Sequence, residues 1–478
     1  MMKKLLIIAL IPFLSLTSCV NSLEDYNINS KSPSKVAPDP MFAYSTKVLA
    51  DALNSVNVNT NVFRFYAQYL TATTYLDEPR YDMTTRTIPQ ALWNTLYSST
   101  LTDLNEAKKL INADNAIVPE VKANKLAAIQ IVEVYTWSVL VNTFGNIPYT
   151  QALDVNNSLP KYDDAKTVTA DILSKLDAAL ASIKVDAGGF GSSDLLYGGD
   201  MSKWVKFGNS LKLKLAMVIA DADAATAKTK ASEAASNLSN LITSNGDNAL
   251  FPYLSGAPNN NPFSNDVPPL SARQDFVAAN TIVDLMNDLN DPRRASYFKA
   301  LADGTYKGGQ YGFTSQYSAH STISTKVSAT TLPGDFLDAA EVNFLLAEAV
   351  ERGFISGNAE EFYNNAIRAS FEYWGADGAD DYLAQNGVSY ATAGSTWQEK
   401  IGIQKWVALY NRGYDGWTDW RRLDFPELKK PDAPNVPEIP KRLIYPIIEN
   451  TLNATNTKDA GAAIGGDDSA TRLWWDVK

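Results

Sequence analysis

The chain has 478 residues, a formal net charge of −11, one cysteine and one histidine. A lone cysteine excludes an intrachain disulfide, and a lone histidine excludes a histidine cage for zinc. The acidic balance argues against nucleic-acid binding and against lying flat on anionic lipid.

Met1-Met2-Lys3-Lys4 precedes an apolar run from Leu5 to Leu16. Basic start, short apolar core and small residues are the layout of a secretory signal. The run contains Pro12 and is shorter than the about 20 apolar residues a membrane span needs. Leu16-Thr17-Ser18-Cys19 resembles a bacterial lipobox. Residues 1–18 are therefore expected to be a lipoprotein signal peptide and Cys19 the lipidated first residue of the mature chain. Several acyl chains on that cysteine would give anchoring that one chain cannot. Residues 19–40 are polar and proline-rich, which reads as a flexible tether. Residues 41–478 read as one helical domain with a loop-rich insertion around 250–334.

Apolar spacing predicts helices from Met41 to about Val56, from Asn61 to Tyr75 and from Gln90 to about Leu110. Pro119 to about Phe144 is apolar nearly all round, the pattern of a helix buried in a large core. Further helices are expected over Asp163–Ile183 and Met201–Ile242, the latter breaking near Asp221–Lys230. The stretch 250–334 is rich in Pro, Asn and Gly, with one short helix over Asn280–Leu289. A loop region of that length on a helical body is where binding residues concentrate. Helices resume near Phe336. Leu346 and Ala347, followed by Ala359, Tyr363 and Ala366, fit the offsets of a tetratricopeptide helix pair. The last helix is expected over Thr396–Tyr414, followed by an irregular, proline-rich tail.

No phosphate-binding loop, nucleophile elbow or dinucleotide fingerprint is present, and no cofactor is expected. Asp377–Asp381 is acidic but lacks the spacing of a calcium loop. His320 reads as a surface residue. The carboxylates Asp77, Glu78 and Asp419 keep a helical glycosidase open as a competing class. An adhesin or scaffold using its helix pairs is a third. The aromatics carry more. Tyr75, Tyr81, Tyr253, Tyr311 and Tyr317 share loops with Arg80, Asn259, Asn260, Arg273, Asp275 and Gln316. Rings cover the apolar C–H face of a sugar, while amides and guanidinium forks take hydroxyls or carbonyls. These residues are the candidate ligand site for a glycan or a peptide.

The segments LEDYNINSKSPSKV, RYDMTTRTIPQALWNTLY, TFGNIPYTQAL, FPYLSGAPNNNP, AEVNFLLAEAVERG, NNAIRASFEYWG, KWVALYNRGYDGWTDWRR and IPKRLIYP together resemble the SusD/RagB family of nutrient-binding outer-membrane lipoproteins of Bacteroidetes. The resemblance spans essentially the whole chain. It implies a mainly α fold, in which tetratricopeptide-like helix pairs form a scaffold for a loop-rich, minor-β ligand-binding half. It implies a non-catalytic surface lipoprotein that captures an oligosaccharide, or alternatively a peptide. Its partner would be a SusC-like TonB-dependent outer-membrane barrel. Trp417, Trp420, Arg421 and Arg422 are expected to tie the C-terminal segment to the body.

Glu24 and Asp25, just after the lipidated cysteine, resemble a surface-export signal. Replacing both by Ala should leave the protein lipidated but facing inward. Protease added to intact cells should then spare the variant, and digestion equal to wild type would sink the idea.

Overall fold

Helices begin where a short polar side chain accepts the first free N–H groups, a cap worth about 1 kcal/mol. Asp164 accepts from Thr167 N, Asp200 from Ser202 N, Asp338 from Glu341 N, Asn358 from Glu360 N and Thr396 from Glu399 N. The structure is a computed structural model that describes residues 36–431 and 433–478. The signal peptide, Cys19, Glu24, Asp25 and most of the tether lie outside the described residues.

The first half comprises α1 (Pro38–Asn54), α2 (Phe63–Tyr66), β1 (Leu70–Ala72), α3 (Ile88–Asn94), α4 (Thr102–Ala113) and α5 (Pro119–Phe144). A π-helical stretch, Thr95–Leu101, joins α3 to α4. Then follow β2 (Ile147–Pro148), β3 (Tyr162–Asp163), α6 (Ala165–Ser182), α7 (Met201–Val218), α8 (Ala224–Ala234) and β4 (Ala249–Phe251). The loop-rich part holds β5 (Phe276–Ala278), α9 (Asn280–Asp288), α10 (Arg294–Tyr297), β6 (Phe298–Lys299), β7 (Thr322–Ile323) and β8 (Gly334–Leu337). The chain ends with α11 (Ala339–Glu351), α12 (Ala359–Trp374), α13 (Ala379–Leu383), α14 (Trp397–Ala408), α15 (Gly413–Leu423), α16 (Glu449–Leu452) and α17 (Ala454–Ala463).

Consecutive helices pack as antiparallel pairs: α5 with α6, α7 with α8, and α11 with α12. In the last pair Leu346, Ala347, Tyr363 and Ala366 are buried, as the tetratricopeptide reading expected. The Tyr363 ring meets Phe344 edge-on at 5.8 Å. Helix α5 is long and apolar enough to cross a membrane, yet it is buried among α1, α4, α6 and α7. Strands occur only as two-stranded antiparallel ribbons among the described residues: β1–β5, β2–β3, β4–β8 and β6–β7.

Four expectations change. Asn61–Tyr75 is not one helix. It breaks after α2 at Gln68, whose φ is 57°, and continues as β1. Residues 61–73 are buried on every side, polar Arg64 and Gln68 included, so periodicity could not tell helix from strand. Phe336 lies in β8, and the following helix starts at Ala339. The segment WTDWRR is not tail but part of α15, a separate helix after α14. Two glycines let α15 lie against α2. A Cβ at Gly413 would sit 2.6 Å from Arg64 N, and one at Gly416 would sit 2.2 Å from the Tyr69 hydroxyl. The tail is also less irregular than expected, since it carries α16 and α17.

A buried ion network joins these helices. Glu341 of α11 lies 2.6 Å from Arg412 and 3.3 Å from Lys214 of α7. Lys214 reaches Asp415 at 2.5 Å, and Lys405 of α14 reaches Asp419 at 2.7 Å. Arg422 bridges Asp419 at 2.8 Å and Glu348 at 2.5 Å. Arg352 then links Glu348 to Asp221, each at 2.7 Å. Beside the network, Arg421 donates to Asn142 O and Lys441 O and lies 3.6 Å from the Trp417 ring. Arg442 donates to Phe144 O. The C-terminal segment is thereby fastened to the end of α5, the role expected of these motifs.

Burial alone would raise the Glu348 carboxyl, but Arg422 and Arg352 outweigh it and hold it at about 2 against an ordinary 4.5. A depressed carboxylate stabilises the fold above its unfolded value and loses that contribution as pH falls through the folded one. Urea unfolding from pH 7 to pH 2 should therefore show stability falling below pH 4.5, and Glu348→Gln should flatten that fall. Arg422→Met, which leaves buried Glu348 with Arg352 alone and takes one cation from Asp419, should cost about 3 kcal/mol at pH 7.

Candidate functional site

The site is set by the β1–β5 ribbon. Leu70 pairs with Ala278, Thr71 with Val277 and Ala72 with Phe276. Thr73 extends the pairing: its N–H donates to Asp275 O and its hydroxyl to Gln274 O, both at 2.8 Å. Its carbonyl accepts from Ser315 N at 3.1 Å. One threonine thus ties together the loop after β1, the approach to β5 and the segment before Tyr317. Of the residues expected from sequence, this brings Tyr75, Arg273, Asp275, Gln316 and Tyr317 into one neighbourhood.

Tyr75 is 61% exposed, a large value for a tyrosine that does no packing. The Arg273 Nε donates to Asp275 Oδ2 at 2.7 Å, and its Nη1 lies 3.5 Å from Asp266. The hydrogen bond to Asp275 raises the Arg273 pKa, partly opposed by desolvation and aided by the charges of Asp275 and Asp266. Burial raises the Asp266 carboxyl, with Arg273 opposing. Arg273 and Tyr317 open onto a cleft of about 180 Å³ whose other walls include Pro268, Pro269, Phe276 and Lys299. Gln316 is exposed beside it. The cleft combines apolar walls, a guanidinium, an ammonium and a phenol, with an exposed ring close by. It can cover a sugar face and bind hydroxyls at its edges.

The remaining candidates belong elsewhere. Tyr81 and Tyr311 are buried, with ring centroids 6.1 Å apart. The Tyr311 hydroxyl donates to Phe65 O at 2.7 Å, and the Tyr81 hydroxyl accepts from Gln68 at 3.2 Å. Arg80 is half-buried and donates to Gly312 O. Tyr253 is buried and donates to Asp51. Asn260 is buried and donates to Asn265 and Ser264, while Asn259 is exposed in the same loop. Tyr81, Tyr253, Tyr311 and Asn260 therefore anchor loops rather than face a ligand. A tyrosine whose hydroxyl finds a buried partner is a core residue, and loop composition does not reveal that.

Sequence reasoning missed Pro268, Phe276 and Lys299. Lys299 reaches the cleft only because β6 pairs with β7, with Lys299 opposite Thr322. No local pattern signals that pairing. The Pro-Pro pair in VPPLSARQDF was a visible cue.

The carboxylates considered for catalysis are committed to ion pairs. Asp419 sits in the buried network, and Glu78 is buried 2.5 Å from Arg86. A second cavity of about 480 Å³ lies between α4, α5 and α6, beside Trp137 and Tyr149. Four of its charges pair, Lys108 with Glu133 and Lys175 with Asp171, while Asp163 accepts from the Tyr149 and Thr150 N–H groups.

Residues 30–446 match the SusD-like family, described as starch-binding and associating with the outer membrane. No curated protein matches. Solved structures do. A chitin-binding protein superposes with a TM-score of 0.81 at 25% identity, covering 92% of this chain and 100% of its own. A chitin-binding SusD homologue from Flavobacterium johnsoniae gives 0.76 at 25% identity, covering 91% and 99%. A SusD homologue from Bacteroides uniformis gives 0.75 at 28% identity, covering 91% and 99%. With its helix pairs, its ribbons and a family match over most of its length, the chain belongs to the SusD-like family.

Proposed function

We propose that this protein is a surface-exposed, lipid-anchored binding protein that captures an oligosaccharide and delivers it to a TonB-dependent outer-membrane barrel. The observation that carries the reading is that Arg273 and Tyr317 line one cleft, while Tyr75 and Gln316 stand on the neighbouring segments that the hydrogen bonds of Thr73 tie together. The chitin-binding relatives support a sugar ligand. An open cleft with a solvent-facing ring suits weak capture and easy release. The commitment of Asp419 and Glu78 to ion pairs speaks against the glycosidase reading.

The test is calorimetric titration of the protein lacking residues 1–19 with panels of oligosaccharides and peptides. Tyr75→Ala and Tyr317→Ala should each weaken binding of the retained glycan about 5- to 10-fold, the loss expected for one aromatic contact. Tyr311→Phe should leave affinity unchanged while costing about 1 kcal/mol of stability. Retention of peptides alone would replace the glycan, and hydrolysis lost with one carboxylate would replace the binding role. Pull-down from native membranes should recover a large outer-membrane barrel.

A further inference from the structure

On the far side of the segment Tyr317–Thr322 lies a basin of about 530 Å³. The segment gives Tyr317 and Thr322 to the cleft and His320 to the basin. The basin's charged walls are Lys307, Lys429, Lys430 and Asp284. In a chain of charge −11, this concave surface has three lysines against one aspartate. Asp284 pairs with Lys429 at 3.0 Å. Lys307 and Lys430 form no ion pair among the described residues.

Lys429 and Lys307 are held through their backbones. Gln68 is fully buried. Its Nε2 donates to Lys429 O at 2.6 Å and its Oε1 accepts from Lys429 N at 3.0 Å. Thr281 donates to the same Oε1 at 2.7 Å. Lys307 N donates to the Ser321 hydroxyl at 3.0 Å, and Lys307 O accepts from Ser321 N at 2.7 Å. The His320 Nδ1 bonds Gln316 O at 2.8 Å. The side chains of Lys307 and Lys430 are exposed, and the half-buried Phe313 adds a ring to the wall. Lys307 and Lys429 therefore rise from fixed backbone positions, and a fixed base lowers part of the cost of binding.

We infer that the captured glycan is anionic, a chain bearing carboxylate or sulfate groups, with its charged substituents seated in the Lys307–Lys429–Lys430 basin while neutral parts lie along the neighbouring cleft. The inference rests on the glycan-binding reading above. Exposed ammonium groups gathered in one basin attract carboxylates and sulfates and gain little from a neutral sugar. Concavity, the Phe313 ring and the amides of Asn280 and Gln310 in the same basin favour a glycan over an acidic protein surface.

The full-length lipoprotein in a nonionic detergent should be titrated with oligogalacturonate, with chondroitin sulfate oligosaccharides, and with neutral chito- and malto-oligosaccharides. We expect one of the two acidic probes to bind more tightly than either neutral one. The arm that binds identifies the anionic group. Lys307→Gln combined with Lys430→Gln should lower that affinity about 10-fold, the loss expected for two exposed charge contacts. Raising salt from about 0.05 to 0.5 M should weaken it similarly, because the contacts are exposed and screened. Retention of a neutral glycan, unaffected by salt or by the lysine changes, would overturn the inference and leave the binding reading intact. Retention of no glycan would overturn both. Loss of barrel co-purification in the double variant, with acidic-glycan affinity unchanged, would also overturn it and assign the basin to a protein contact.

Discussion

Everything else in the molecule leans on the ionic seam along α11. Glu341 and Glu348 are fully buried carboxylates on one helix. Each is tolerable only because cations arrive from other elements: Lys214 from α7, Lys405 from α14, Arg412 and Arg422 from around α15. Burying a charge costs several kcal/mol unless partners and hydrogen bonds replace water. The requirement is reciprocal, so no single helix can dock in a shifted position without stranding a charge. Apolar packing alone would tolerate small slides of helix on helix. The seam converts an approximate bundle into one arrangement, and the glycine approach of α15 to α2 at Gly413 depends on that arrangement.

From α2 the order passes outward to the loops. The Tyr69 hydroxyl donates to Trp406 O at 2.6 Å, and β1 begins at the next residue. The β1–β5 ribbon therefore starts from a fixed point in the helical core, and Thr73 carries that fixity to the cleft. Loops rich in Pro, Asn and Gly would otherwise lose much conformational entropy on ordering. Here they are ordered by buried hydrogen bonds from tyrosines and amides, such as Tyr311 to Phe65 O and Asn261 to Leu332 O. The exposed Tyr75 and Gln316 are spared that duty.

This division explains what was legible in the sequence. The helix pairs could be read because a half-exposed helix writes its buried face into the spacing of its residues. The loop-rich region could be located from composition. What could not be read was anything fixed by pairing between distant segments. Gln68 turning the chain into β1, Lys299 reaching the cleft through β6–β7, and α15 standing apart from α14 all depend on partners far along the chain. The candidate site residues divide between surface and core for the same reason. Tyr75 and Tyr317 share their loop chemistry with Tyr81 and Tyr311, and only the tertiary partner of each hydroxyl separates a wall from an anchor.

The clamp of Gln68 on Lys429 has a consequence for how such a protein can diversify. Its hydrogen bonds engage the backbone N–H and carbonyl, which every residue except proline supplies. Position 429 can therefore change side-chain charge, size or polarity while its Cα atom stays where the core puts it. Position 307, held through backbone groups by Ser321, has the same freedom. A lineage meeting a new nutrient could rewrite the basin at these positions by point mutation, with the fold blind to the change.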